Sequence, residues 1–194
     1  MQKNRLEAFS DGVLAIIITI MVLDMRVPQG TDFIALKPVL PVFLSYVLSF
    51  VIVGIYWNNH HHLFHSTKHV SGGILWANMH LLFWLSILPF ATAWMGENHL
   101  SSMPTAVYGF VLLMASIAFY ILQRAIISQQ GHDSLLAEAI GSDWKGRLSL
   151  VLYIVSILLA FVSPWIANGI YILVASLWFI PDRRIERVIG KHGN

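Results

Sequence analysis

Four stretches of this chain contain no Asp, Glu, Lys or Arg: residues 38–67, 70–96, 100–123 and 148–181. A helix needs about 20 mostly apolar residues to cross a bilayer, so each stretch is long enough to span. The last has 34 residues, about 51 Å of helix at 1.5 Å per residue, too long for one crossing. Ser163-Pro164 is a natural break, because proline suits the first turn of a new helix. Composition agrees with a lipid environment: 57% of residues are hydrophobic and 11% charged, against about 25% charged in soluble domains. Cysteine is absent, which excludes disulfide scaffolds, thiolate metal sites and cysteine nucleophiles.

The N-terminal segment is shorter on charge-free residues. Only 12 residues separate Asp11 from Asp24, but Arg5 to Arg26 covers 22, about 33 Å of helix. A first span therefore exists only with Ser10 and Asp11 inside it. An acidic residue beside the apolar segment argues against a cleaved signal peptide. The expected fold is an all-α integral membrane protein with six transmembrane helices, at about 5–26, 38–62, 72–95, 104–128, 145–162 and 164–185, forming one domain over 1–194. Six helices put 10 basic residues on one side and 2, Arg26 and Lys37, on the other. Five helices would split them 6 to 6, so the positive-inside rule selects six, with both termini cytoplasmic in a multi-pass cell-membrane protein. The net charge of +2 follows from these loop residues, and no nucleic-acid partner is expected. The polar stretch around Leu135, Leu136, Ala139 and Ile140 suits a short interfacial helix.

The first helix holds the informative residues. At 100° per residue, Ile16, Thr19 and Leu23 fall within about 60° of one another, with Ile20 and Gly12 flanking them. Ser10 and Asp11 point away from that stripe. An ionisable residue at membrane depth normally faces protein or water, so Asp11 and Ser10 must meet neighbouring helices. Trp57, Asn58, His60, His61, Asn78 and His80 are the candidate partners. Periodicity alone makes the Ile/Leu stripe an ordinary packing or lipid face.

Arg5-Leu-Glu-Ala-Phe9-Ser10-Asp11 matches the pattern R-x-x-x-F-S-D. With Trp57-Asn-Asn-His60-His61, Trp76-Ala-Asn78 and Leu88-Pro89-Phe90, it makes the chain resemble the transmembrane-protein-175 family of potassium channels. The resemblance implies a K⁺-preferring cation channel in the single-repeat form, a homotetramer whose pore is lined by helix one. Counting from the signature aspartate, it places the apolar constriction on Ile16, a pore-facing hydroxyl on Thr19 and a further apolar ring on Ile20 or Leu23. It makes Arg5, Phe9, Ser10 and Asp11, with Trp57, His61, Trp76, Asn78 and His80, a structural network outside the conduction path. The run Asn58-Asn59-His60-His61-His62 is richer in histidine than the family pattern, so several rings compete as the partner of Asp11.

Thr105-Ala-Val-Tyr108-Gly109 superficially resembles a carbonyl selectivity filter, but it lies inside an apolar helix, whereas a filter needs non-helical backbone sheltered by protein. Selectivity is then expected from apolar rings and Thr19 hydroxyls, with K⁺ as the permeant ion and no cofactor. Asp24 is a candidate for concentrating cations at the pore mouth. Two other readings compete. His60-His61-His62-x-x-His65 has the look of a metal-binding box, although the remaining histidines are scattered singly. A secondary transporter would show internal repeats and midplane charges, neither of which the chain carries.

Overall fold

The computed structural model describes residues 3–65, 67, 69–130 and 143–179. The expected interfacial helix around 135–140 and the end of the sixth helix beyond 179 lie outside the described residues. Among the described residues seven α-helices follow in order: α1 (Lys3–Leu23), α2 (Leu40–His65), α3 (Gly72–Ser86), α4 (Leu88–Glu97), α5 (Ser102–Gln130), α6 (Trp144–Leu159) and α7 (Pro164–Phe179). One 3₁₀ turn, Phe33–Leu36, interrupts the α1–α2 connection. No strand occurs among the described residues.

The expected third helix is split at Ile87. Pro89 has no N–H to donate to Leu85, and its ring crowds that carbonyl, so the chain turns a corner and restarts as α4. Taken together, α3 and α4 cover 26 residues, Gly72–Glu97, with a mean hydropathy of 1.6 over their most apolar stretch, long and apolar enough for one crossing with a proline kink. Pro164 opens α7 in the same manner, one residue after Ser163 closes the turn from α6. The described residues thus form six helical segments, with α3 and α4 counted as one.

The core is organised around α5, which packs on α3, α4, α6 and α7. Its Tyr108, Leu112, Ala118, Leu122 and Ile126 are fully buried. Lipid-facing helices gain little from the hydrophobic effect on meeting one another, so small residues and hydroxyl pairs supply the contacts. Ser49 of α2 bonds both Thr92 of α4 (2.7 Å) and Tyr108 of α5 (2.9 Å). Gly109 lets Tyr171 of α7 lie against α5, where the Tyr171 hydroxyl donates to the Thr105 carbonyl at 3.0 Å. Gly96 plays the same part between α4 and α2: a Cβ there would stand 2.7 Å from the Val42 Cα.

Two contacts fix the ends of the bundle. Lys3 Nζ donates to the His65 carbonyl at 3.3 Å, joining the start of α1 to the end of α2. At the opposite end, Arg26 pairs with Glu97 at 3.3 Å. Helix α1 packs on α2, α3 and α4, which leaves half of its circumference uncovered.

Candidate functional site

Leu6, Ser10, Leu14, Ile17 and Met21 form the buried edge of α1, at spacings of four, four, three and four that keep one face of a helix inward. Ser10 is fully buried. Its hydroxyl donates to the Leu6 carbonyl at 2.9 Å and accepts from Asn78 Nδ2 at 3.0 Å. The Asn78 carbonyl oxygen in turn lies 2.8 Å from His60 Nε2. Since the Asn78 amide is spent as donor to Ser10, its oxygen must accept, and His60 carries its proton on Nε2. Three helices are thereby joined by a relay of neutral groups, in a place where any unpaired member would be costly.

Asp11 follows a different course. It is exposed, and its carboxylate accepts from Trp57 Nε1 at 3.0 Å. Among the described residues the hydrogen bond to Asp11 comes from Trp57 and not from a histidine; His61 instead stacks on Trp57, with ring centroids 6.4 Å apart. His80 accepts from Trp84 Nε1 at 3.0 Å along its own helix. Trp76, Arg5 and Phe9 are exposed. Of the residues grouped by the signature, the structure joins Ser10 to Asn78 and Asp11 to Trp57. It brings in His60, one of the candidate partners, where the resemblance implied His61, and sets His80, Trp76, Arg5 and Phe9 apart from the relay. The corrective signal is positional: His60 is four residues from buried Phe64 and on its face of α2, whereas His61 is turned about 100° outward.

The uncovered face of α1 carries Arg5, Phe9, Gly12, Ile16, Thr19 and Leu23, at spacings of four, three, four, three and four. Ile16 is 57% and Leu23 80% exposed, and Ile20 lies beside them. Such a heptad-like seam of apolar residues is what a helix presents to copies of itself. Thr19 donates its hydroxyl to the Ile16 carbonyl at 2.9 Å, which leaves its oxygen lone pairs facing outward. Arg5 and Phe9 extend the same stripe to the start of the helix, so they share a face with Ile16 and oppose Ser10. An open groove beside this face is bounded by Ile16, Ile20, Leu23, Pro89, Phe90 and Ala93. Asp24, Arg26 and Glu97 stand at its end.

Among the described residues no three His, Cys, Asp or Glu side chains converge on a metal position. Within the histidine run His60 is buried, whereas His61 and His65 are exposed, with ring centroids 6.2 Å apart. Residues 105–109 lie within α5, and their helical backbone is packed in the core. Two features escape a reading by pattern. One is the hydroxyl cluster of Ser49, Thr92 and Tyr108, visible in sequence only as polar residues in apolar helices. The other is a cavity between α2, α5, α6 and α7.

Across 192 residues the chain is 56% identical to a potassium channel of Chryseobacterium sp. (strain P1-3), covering 99% of this chain and all of that one. The chain belongs to the TMEM175 family. Its residues 5–89 match the family model described as endosomal/lysosomal potassium channel TMEM175. A potassium channel of Chamaesiphon minutus is 30% identical over 191 residues, with 90% of this chain and 92% of that one covered. The crystal structure of a lysosomal potassium-selective channel TMEM175 homolog from Chamaesiphon minutus superposes with a TM-score of 0.80 at 29% identity, over 93% of this chain and 97% of that one. This TMEM175 protein is therefore a multi-pass potassium channel and not an enzyme.

Proposed function

We propose that four copies of this TMEM175 chain surround one K⁺-preferring pore lined by the uncovered face of α1. The observation that carries this reading is the division of α1 into a buried edge ending at Met21 and an exposed seam through Ile16, Thr19 and Leu23. One chain has one such seam and cannot enclose an axis with it. Closed cyclic symmetry supplies the remaining sides.

Ile16 forms the narrowest apolar ring in this arrangement, Leu23 a second one, and the Thr19 hydroxyls lie between. A narrow apolar neck expels water, and an ion must shed hydration to pass. K⁺ loses its shell more cheaply than Na⁺, so such a neck favours K⁺ without a carbonyl filter. Asp24, at the mouth, raises local cation concentration. The end of the bundle holding Lys3, Arg5 and Arg124 faces the cytoplasm, as the charge bias of the loops requires.

Purified protein reconstituted in liposomes should pass K⁺ faster than Na⁺ and should have the mass of four chains in mild detergent. A monomeric particle with full flux would remove the shared pore. Orientation is accessible because the chain has no cysteine: Lys3→Cys should react with an impermeant maleimide only after cells are opened. Labelling of intact cells would invert the topology.

A further inference from the structure

The cavity between α2, α5, α6 and α7 has a volume of about 280 Å³, and no residue of α1 lines it. Ile52 and Ile55 of α2, Phe119 of α5, Leu150 of α6 and Val174 of α7 give it apolar walls. A dry apolar cavity of about 150 Å³ takes up benzene. In proportion, this one holds roughly ten to twelve non-hydrogen atoms.

Most polar groups along the wall have partners. Tyr56 and Ser116 share a hydrogen bond of 3.0 Å, Trp178 Nε1 donates to Ser149 Oγ at 2.9 Å, and Asn59 Nδ2 donates to the Ile55 carbonyl at 2.9 Å. Tyr153 is the exception. It is 4% exposed and lines the cavity, and among the described residues its hydroxyl has no hydrogen-bond partner. Nor is that hydroxyl sealed in protein; the sealed and unpaired side-chain oxygen among the described residues is Thr105 Oγ1. The Tyr153 hydroxyl therefore opens on the cavity, where an acceptor is missing. A phenol with no protein partner in a largely apolar wall is available to a ligand that supplies an acceptor.

The rim of the cavity is charged. Arg147 and Asp143 line it. Arg124 lies over the Tyr120 ring, 5.1 Å from its centroid, and donates to the Tyr120 hydroxyl at 2.9 Å. Asp143 already accepts from the Gly146 N–H at 3.3 Å, and Gln123, Arg124 and Arg147 face it. Among the described residues Arg147 is the cationic side chain that lines the cavity, and Arg124, outside the lining, also acts on the Asp143 carboxylate. Arg147 and Tyr153 are six residues apart on α6, about 9 Å along the axis.

We propose that this cavity binds a small carboxylate with an aromatic or alicyclic body, its carboxylate at Arg147 and a hydrogen-bond acceptor at its far end taking the Tyr153 hydroxyl proton. Rim charge, apolar walls and the unpartnered phenol select that chemistry together. The site stands apart from the pore face, so it holds whether or not α1 lines the conduction path.

The test titrates 6-hydroxy-2-naphthoate and 2-naphthoate, by ligand fluorescence, into bilayer nanodiscs carrying the full chain, with empty nanodiscs subtracted. The two probes differ only in the oxygen that would meet Tyr153. The hydroxylated probe should bind about tenfold more tightly, the scale of one hydrogen bond to an otherwise unpaired group. Tyr153→Phe, which keeps the ring, should equalise the two probes without weakening 2-naphthoate. Arg147→Gln should weaken both, and Val174→Trp, which fills the cavity, should abolish both. Equal affinities for the unaltered protein, a preference that survives Tyr153→Phe, or binding that survives Val174→Trp would overturn the assignment. Displacement of both probes by phosphatidylglycerol, equally in the Tyr153→Phe variant, would place a lipid chain in the cavity and also overturn it.

Discussion

Asn78 donates its amide to the Ser10 hydroxyl at 3.0 Å, 68 positions away along the chain, and this contact seals the start of α1 against α3. The same Asn78 serves His60 at 2.8 Å, so it is the shared member of the relay. Asn78→Ala removes two buried hydrogen bonds and strands the His60 N–H, although Ser10 keeps its bond to the Leu6 carbonyl, whereas Ser10→Ala removes one of those two bonds and leaves Asn78–His60 in place. A stranded buried group costs about 1–3 kcal/mol. Thermal melting of the purified protein should therefore rank Asn78→Ala clearly below Ser10→Ala, with the K⁺/Na⁺ ratio of surviving channels unchanged. Equal losses would mean that the relay is not cooperative.

Trp57 and Asp11 meet at 3.0 Å, and both are exposed in the single chain. Removing either partner should cost no more than the net worth of one hydrogen bond, about 0.5–1.5 kcal/mol. Trp57→Phe and Asp11→Ala should each lower the melting temperature slightly, and the double variant should fall no further than the worse single one. Full additivity would show that Asp11 acts through some other contact.

How far the sequence reaches is clearest along α1 and α3. Charge-free length and proline placement mark the helical segments, because backbone polar groups in lipid must be satisfied within a helix. The period of 3.6 residues separates Ile16, Thr19 and Leu23 from Ser10. The kink at Ile87 was legible in principle, since Pro89 sits mid-run, but length alone favoured a single straight span. The partner of Asp11 was not legible. Trp57, His60 and His61 lie within five residues on one helix, and only the rotation of α2 against α1 decides which ring turns toward the carboxylate. The cavity was hidden for a similar reason: its wall combines four helices that are far apart in sequence.

Gly109 is where α5 and α7 come closest, with the Tyr171 ring occupying the space a side chain would take. Gly109→Ala should push Tyr171 away and break its bond to the Thr105 carbonyl. Overpacking of this kind typically costs about 1–3 kcal/mol. Tyr171→Phe should lose less by itself and should leave the contact intact. Were Gly109→Ala as stable as the unaltered protein, α7 would have to pack elsewhere.

Asp143 caps α6 by accepting the Gly146 N–H, and burial raises its carboxyl above the ordinary carboxylate value. With a raised value in the folded state, the folded chain binds the proton more tightly than the unfolded one. This contribution to stability is complete below the ordinary value and is lost as pH rises through the raised one. Melting temperatures should accordingly decline as pH rises from the ordinary carboxylate value, about 4, through the raised one. Asp143→Asn keeps an acceptor for Gly146 and cannot ionise, so its profile should be flatter over that window. An identical slope in both proteins would assign the titration to other groups.

Ile16 and Val22 are both exposed on α1, at 57% and 41%, yet they sit about 120° of helix apart. That separation makes them a matched pair for locating the pore. If the Ile16 ring is the hydrophobic neck, Ile16→Asn places amides where water was expelled, and hydrated ions gain passage. Current through reconstituted protein should rise about tenfold, equivalent to lowering the barrier by about 1.4 kcal/mol. The preference for K⁺ should shrink, because partly hydrated Na⁺ is then accommodated. Thr19→Val keeps the volume and removes the outward-facing oxygens, so it should reduce K⁺ preference with little gain in current. Val22→Asn, off the seam, should alter neither quantity. Were Val22→Asn to change both while Ile16→Asn changed neither, the conduction path would run along the other flank of α1, and the seam through Ile16, Thr19 and Leu23 would be a contact between protein surfaces.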